Sequence, residues 1–414
     1  MNEEAERLFC FYPTMKILIN GYRAKKNKKI LYGGPRNFTG LLIQHFNSLS
    51  HRVVSLSIHG KKKIDGKFLL KQEAKGKNPA WFLKLRLNFA DIFKAKSAAY
   101  PQSLLPSREI IRQAIRRIDP DVVLLNGYSI VNWYILRAAK DLGLPVVMAH
   151  HGLWFKEMNT ADNNMSRATE KMLREMEKDI TRFADCEVFL NEYSRNEYSR
   201  KLIKVRSGRH QIIPLPYNPL FKTKPKEVLR LKAVPKGKVK IGMVSRWDPV
   251  KSPQKFMALA KEAKKQKLPW EFYAVIKLKY NYKEIGRFKK DFSKYINVIP
   301  QLPQETLKGF YRQMDVLVLP SRFDTSPTVV MEAALQGKPT VISPTVGWVS
   351  EYKRFGAGDW VISFDNPSRA VKKIAALIGN NRDSFTRFAK HIEIKHSPKN
   401  VFAAYDKLLR KLVK

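Results

Sequence analysis

The sequence predicts an α/β protein of two domains, each a doubly wound parallel sheet, facing one another across a cleft. Three observations carry this. At 414 residues the chain exceeds what one hydrophobic core usually serves. Short runs of Val, Ile and Leu alternate with amphipathic stretches in both halves, the pattern of strand and crossover helix. Between the halves, Pro214, Pro216, Pro219, Pro225 and Pro235 punctuate a stretch that reads as a linker.

The first domain is expected over 15–218. "MKILINGY" is its first buried strand, followed by a loop holding Gly33 and Gly34, a helix "FTGLLIQHFNSLS" and a strand "HRVVSLSI". "REIIRQAIRRIDPDVVLLNG" gives an amphipathic helix, a Pro turn and a strand, and "VNWYILRAAKDLGLPVVMAHHG" repeats that order. A long helix over about 165–183 precedes strands at "DCEVFLN" and "HQIIPLPYNP". The second domain, 236–390, runs "KVKIGMVSR", a helix from Ser252, strands "WEFYAVI" and "INVIP", a helix "QETLKGFYRQM", then strands "DVLVLP" and "PTVIS". Residues 391–414 end in a helix that is free to cross back to the first domain, and residues 1–14 read as an extension with no assigned role.

Composition narrows the class. Hydrophobic residues make up 44% of the chain, with seven Trp and 23 Phe, which supplies packed cores and argues against disorder. Only Cys10 and Cys186 are present, so no disulfide framework is expected and a reducing compartment is. With no cleavage pattern near the start and no run of eighteen apolar residues, the expected location is the cytoplasm, with attachment to the inner face of a membrane left open. The net charge of +42 favours a polyanion, whether nucleic acid, an anionic membrane face or a phosphorylated substrate, and a merely basic solvated surface accounts for it equally well.

The chemistry concentrates in "PSRFDTSPTVVMEAALQGKPTVIS", residues 320–343. Ser326 suits a helix N-cap, Pro327 the first helical position, and Gly337 the stop. Asp324 then lies in the loop before the helix and Glu332 inside it, spaced to hold different parts of one elongated ligand, while the helix start favours an anion. This stretch resembles the Glu-x7-Glu motif of retaining glycosyltransferases of the GT-B fold, group 1 or GT4 family, with Asp324 where the first Glu is usual. The resemblance implies two Rossmann-like domains and metal-independent transfer of a hexose from a UDP- or GDP-sugar, with no further cofactor. The acceptor it implies is a glycan or lipid-linked sugar of cell-envelope or surface polysaccharide synthesis.

Other segments fit the same resemblance. "GMVSRWDPVKSP" is similar to the family's diphosphate loop and implies Arg246 and Lys251 as phosphate ligands, joined by Ser326. "LGLPVVMAHHGLW" implies His151 beside the donor sugar, with His150 turned away by strand alternation. Asp324 and Glu332 are implied for the sugar and the ribose, and Thr325, Thr328, Gly347 and Glu351 for the rest of the donor. Gly33 and Gly34 resemble the loop that lets backbone approach phosphate or acceptor. No metal is expected: Asp119-Pro-Asp121 reads as the turn into a buried strand, and His and Cys are never at ligand spacing.

The Lys-rich stretch 61–96 contains "WFLKLRLNFADIF". On a helix, Trp81, Phe82, Leu85 and Phe89 share one side, which with Lys61, Lys62 and Lys63 makes an anionic-lipid surface; an ordinary core helix shows the same stripe. Two rivals to the transferase stay open: a nucleotide-sugar epimerase of the same fold, and a non-enzymatic polyanion binder, with nucleic acid the less favoured partner.

Overall fold

The computed structural model describes residues 13–20, 34–60, 68–74, 80–85, 105–158, 167–225, 229, 231, 237–277, 290–380 and 383–413. Strands β1 (Lys16–Asn20), β2 (Arg52–Gly60), β3 (Phe68–Ala74), β4 (Ala80–Leu85), β5 (Val122–Asn126), β6 (Val146–His150), β7 (Cys186–Phe189) and β8 (His210–Ile212) form one sheet in the order β3-β4-β2-β1-β5-β6-β7-β8. All neighbours in it are parallel except β3 and β4. Helices α1 (Gly34–Ser48), α2 (Leu105–Ile118), α3 (Ile130–Asp141), α4 (Trp154–Met158), α5 (Arg167–Phe183) and α6 (Glu192–Lys201) intervene.

The second sheet is wholly parallel: β9 (Val239–Arg246), β10 (Trp270–Lys277), β11 (Asn297–Pro300), β12 (Val316–Leu319) and β13 (Thr340–Ile342), in the order β11-β10-β9-β12-β13. Helices α7 (Pro253–Lys265), α8 (Gln304–Gln313), α9 (Thr328–Leu335), α10 (Val349–Arg354), α11 (Pro367–Asn380) and α12 (Asp383–Lys395) complete this domain, and α13 (Pro398–Val413) follows. Each sheet therefore reverses its strand order beside its first strand, at β1/β5 and at β9/β12. Such switch points open crevices at the carboxyl ends of the strands.

Burial explains why these residues form strands. All five residues of β5 and of β6 are buried, because helices cover both faces of a parallel sheet and an uninterrupted apolar run is what fits there. A separate apolar cluster joins the domains, with Val250 and Phe323 of the second domain packed among Leu153, Phe155, Phe189 and Tyr198 of the first.

The structure corrects three expectations. Over its described part, the helix expected at 81–93 is strand β4, paired in parallel with β2 and antiparallel with β3. Alternation carries Leu83 into the core and packs Trp81 against it, with the Arg117 guanidinium 5.5 Å from the Trp81 ring centre, so no helical aromatic face arises here for a lipid surface. Phe82 lies on the same strand; Lys61, Lys62, Lys63 and Phe89 fall outside the described residues, as does Gly33, while Gly34 begins α1. The Pro-rich connection is no loose tether where described: Leu215 and Tyr217 are buried, and a 3-10 turn at Pro219–Lys222 buries Phe221. Ser326 does not cap a helix, for α9 begins at Thr328 with Pro327 as its N-cap residue and no side-chain cap.

The last helix returns to the first domain. Phe402 and Tyr405 of α13 meet Phe38 of α1 at ring distances of 5.6 and 5.5 Å. Beside them Asp406 accepts a 2.8 Å hydrogen bond from His51 and another from Arg410, while His51 Nδ1 accepts the Met15 amide. Burial alone would raise the Asp406 pKa, but the His51 and Arg410 hydrogen bonds and the Arg410 charge outweigh it and leave the carboxyl below its ordinary 3.8. Asp406→Ala is expected to cost about 1–2 kcal/mol at pH 7, at the low end for a charged hydrogen bond because water reaches the pair. Urea melts of variant and parent would show it. Since the folded-state pKa is depressed, the difference is complete above pH 3.8 and shrinks as pH falls through the lower folded value.

Candidate active site

A cavity of about 580 Å³ lies between the carboxyl ends of the two sheets, within the size range of small-molecule sites. Its first-domain wall comes from strand ends and the loops after them: Asn20 closing β1, Asn126 closing β5, and His151 and Gly152 just past β6. Arg246 at the end of β9, Lys251, the 324–329 segment and Glu332 line the facing wall. His151, Arg246, Lys251, Asp324, Thr325, Ser326, Thr328 and Glu332 are thus brought to one space from positions up to 181 residues apart, His151 to Glu332.

On the second-domain wall the cations stand beside carboxylates. Lys251 pairs with Asp324, both largely shielded from solvent, and Arg246 lies 3.4 Å from Asp248. The loop carrying them is fixed: Asp248 caps the Val250 amide at 3.0 Å, the Val250 carbonyl accepts the Arg322 amide at 2.8 Å, and Ser252 takes a left-handed φ of 49° to turn the chain into α7. At the start of α9 no side chain caps the helix; the Val330 amide turns back to the Pro327 carbonyl at 3.2 Å, and Thr328 and Val329 before it line the cavity.

Glu332 points from α9 into the cavity and accepts a 2.7 Å hydrogen bond from Tyr311 of α8. Burial raises its pKa, opposed by hydrogen bonds from Tyr311 and Thr328. His151 differs from its neighbour. The His150 ring is buried, stacked on Phe189 and hydrogen-bonded to Glu187 at 3.0 Å. Both His151 ring nitrogens are buried without a hydrogen-bond partner, and its ring packs edge-on against Phe38 at 4.6 Å. Burial, helped by the adjacent His150, lowers the His151 pKa to about 4.

Sequence reasoning missed several groups. Glu157 of α4 opens into the cavity, its carboxylate seated over Gly152 where a Cβ would collide with it. Protein surrounds that carboxyl on most sides, and this desolvation raises its pKa against the pull of Lys251. Asn126 and Asn132 are buried with side-chain oxygens lacking partners, and the Trp154 and Tyr128 rings, 5.0 Å apart, stand beside them on the wall. Two of the expected donor residues do not line the cavity. Gly347 lies behind it, packed under the Thr325 carbonyl, and Glu351 turns to Lys395 of α12 at 3.6 Å. Helix α10 begins just after Trp348, and the buried Trp348 and Tyr352 rings anchor it against Phe388 of α12, which directs Glu351 away from the cleft.

Two family models match consecutive parts of the chain: "Glycosyltransferase Family 4" over residues 32–219 and "Glycosyl transferases group 1" over residues 226–393. No curated protein matches significantly. Among solved structures, sucrose-phosphate synthase from Thermosynechococcus elongatus is similar with a TM-score of 0.71 at 14% identity, over 96% of this chain and 99% of that one. The E. coli trehalose-6-phosphate protein bound with UDP-2-fluoro glucose gives 0.67 at 14%, over 96% and 99%. An α,α-trehalose-phosphate synthase (UDP-forming) from Burkholderia xenovorans, in complex with glucose-6-phosphate, gives 0.65 at 14%, over 96% and 100%.

The His151 environment has a measurable consequence. Its imidazole is expected to stay neutral down to about pH 4, as an NMR titration would show. A histidine whose folded pKa is depressed contributes stability that is present above the unfolded value of 6.5 and is lost as pH falls toward 4. His151→Gln should therefore lose stability less steeply than the parent between those limits, in urea melts run across that pH range.

Proposed function

Because the chain belongs to the group 1 glycosyltransferases of the GT-B fold and is a GT4-like glycosyltransferase, we propose that it moves a sugar from a nucleoside-diphosphate sugar to a saccharide acceptor with retention of configuration. One observation carries the reading: two cations, an uncapped helix start, three carboxylates and an imidazole converge on one cavity from both domains. Arg246, Lys251 and the first amides of α9 receive the diphosphate, where charge-assisted hydrogen bonds are strongest. Glu332 receives the ribose hydroxyls, and Asp324 with His151 the transferred sugar. A neutral His151 offers one donor and one acceptor nitrogen, which suits hydroxyls better than phosphate.

As the bond from the anomeric carbon to the diphosphate breaks, negative charge gathers on the leaving oxygen, and the cations already aimed there stabilise it. The acceptor oxygen bonds to the same face of the sugar, and its proton passes to the departing phosphate. On the first-domain wall, the amide oxygens of Asn126 and Asn132 and the Trp154 and Tyr128 rings supply hydrogen-bond acceptors and apolar faces. A sugar ring presents the matching hydroxyls and C–H face. The UDP-2-fluoro glucose and glucose-6-phosphate of the two similar structures are ligands of the corresponding chemical kinds.

Thermal shift against UDP-, GDP- and ADP-sugars would identify the donor, since a ligand that binds only the folded state raises the melting point. Glu332→Ala and Lys251→Ala are each expected to weaken nucleoside-diphosphate binding about 10- to 100-fold. His151→Ala should leave that affinity near the parent's and suppress transfer, with product configuration read by NMR. The reading fails if no nucleotide sugar stabilises the protein, or if Glu332→Ala binds as tightly as the parent.

A further inference from the structure

We propose that Asn191 is a positioning residue for transfer: one side chain caps a first-domain helix and holds the donor-side loop of the second domain in register with His151. This deepens the proposed function and rests on it only for the kinetic part of the test. Asn191 is 8% exposed and stands at the N-terminus of α6, where its side-chain oxygen accepts the Ser194 amide at 2.8 Å and the Ser194 hydroxyl closes the reciprocal capping box. That cap fixes the side chain and leaves its NH2 group aimed across the domain boundary. The amide donates to the Thr325 carbonyl at 2.6 Å, next to Asp324.

Three further contacts converge on the same point. The Thr325 hydroxyl donates to the His151 carbonyl at 3.3 Å, so the Thr325 residue touches both the capped helix and the strand end carrying the imidazole. Tyr193, two residues into the same turn, donates to the Thr345 carbonyl at 3.2 Å. Gly347 donates its amide to the Asp324 carbonyl at 2.8 Å and passes so close beneath the bridge that a Cβ there would strike the Thr325 carbonyl and come within 2.8 Å of the Asn191 Nδ2. Glycine at 347 is thus explained by the bridge rather than by a donor contact.

The geometry sets the relative position of Asp324 and His151, one from each domain. Without the Asn191 NH2, the buried Thr325 carbonyl loses its interdomain donor and the loop relaxes. A shift near 1 Å at a reacting centre costs on the order of 100-fold in rate. The diphosphate and ribose contacts proposed above all lie within the second domain, so affinity for the nucleoside diphosphate depends on the bridge much less than the placing of the transferred sugar does.

Asn191→Asp separates the two roles, because aspartate caps a helix as well as asparagine does and cannot donate to a carbonyl. Asn191→Ser keeps a cap and is too short to reach Thr325, and Gly347→Ala attacks the bridge from the other domain. Hydrogen exchange on the full chain without ligand should show faster exchange at the 323–326 and 345–347 amides in all three, with α6 protected as in the parent in the two Asn191 variants. With the donor found by the nucleotide-sugar screen, kcat should fall roughly 10- to 100-fold while the affinity for the corresponding nucleoside diphosphate changes less than about threefold. Unchanged exchange at those amides overturns the proposal whether or not the parent transfers sugar, and so does a kcat within twofold of the parent. Variants that exchange as described, with a parent that transfers from no nucleotide sugar, overturn the function and with it the positioning role.

Discussion

A parallel strand covered by helices on both faces can present polar side chains only at its ends, and this constraint arranges the whole molecule. In β5 every residue is buried, with four apolar side chains followed by Asn126. In β6 the apolar run closes on His150, and the next residue is His151. In β9 the run closes on Arg246. Because both sheets reverse direction beside their first strands, these end residues gather at two crevices, and the packed connection and the returning helix α13 hold the crevices opposite each other. The cavity therefore carries polar strand-end residues among the apolar Val244, Val275 and Leu319.

The two adjacent histidines show how that constraint divides labour. Alternation sends His150 into the sheet's flank, where Glu187, itself held by Thr181 at 3.0 Å, pairs with its Nε2 and leaves only Nδ1 without a partner. His151 stands one residue later, where the strand has ended and no protein group reaches its ring nitrogens. A buried polar ring without partners costs stability, and such a cost is tolerated where a ligand supplies the missing hydrogen bonds. Asn126 and Asn132 repeat the pattern on the same wall: their NH2 groups are hydrogen-bonded within the protein and their oxygens are not.

Legibility followed the physics of periodicity. The buried strands and amphipathic helices of both domains could be read because their apolar spacing is local. "WFLKL" misled because a short stretch of aromatics satisfies a helical stripe and a strand alternation together, and only pairing with β2 and β3 decides between them. Ser326 was a sound cap by residue type, but Pro327 with ψ 122° lies outside the helical region, so the helix starts one residue later. Arg246, Lys251, Asp324 and Glu332 were legible as a set because a resemblance ties them together. Asn191 and Glu157 were not, since their significance comes from residues distant in sequence. Asn191 bonds a carbonyl 134 positions away, and no periodicity or local motif encodes such a contact.

Among the described residues, the cations that line the cleft are not bare, although the chain carries a net charge of +42. Lys251 is engaged by Asp324 and Arg246 by Asp248, so each of the two cations has a carboxylate beside it. For a diphosphate this makes binding an exchange of anionic partners at cations that are already partly shielded from water. The dehydration of Lys251 is largely complete before the ligand arrives, and what remains is the release of Asp324 to a new partner. The hydroxyls of the transferred sugar are donors suited to that carboxylate. Under the proposed function, phosphate on Lys251 and sugar on Asp324 would be coupled, since each ligand contact relieves the group that the other displaces. The surrounding surface charge acts at longer range: it draws anions toward the cleft, an effect screened beyond roughly 8 Å at physiological salt, whereas the paired groups inside determine where the anion comes to rest.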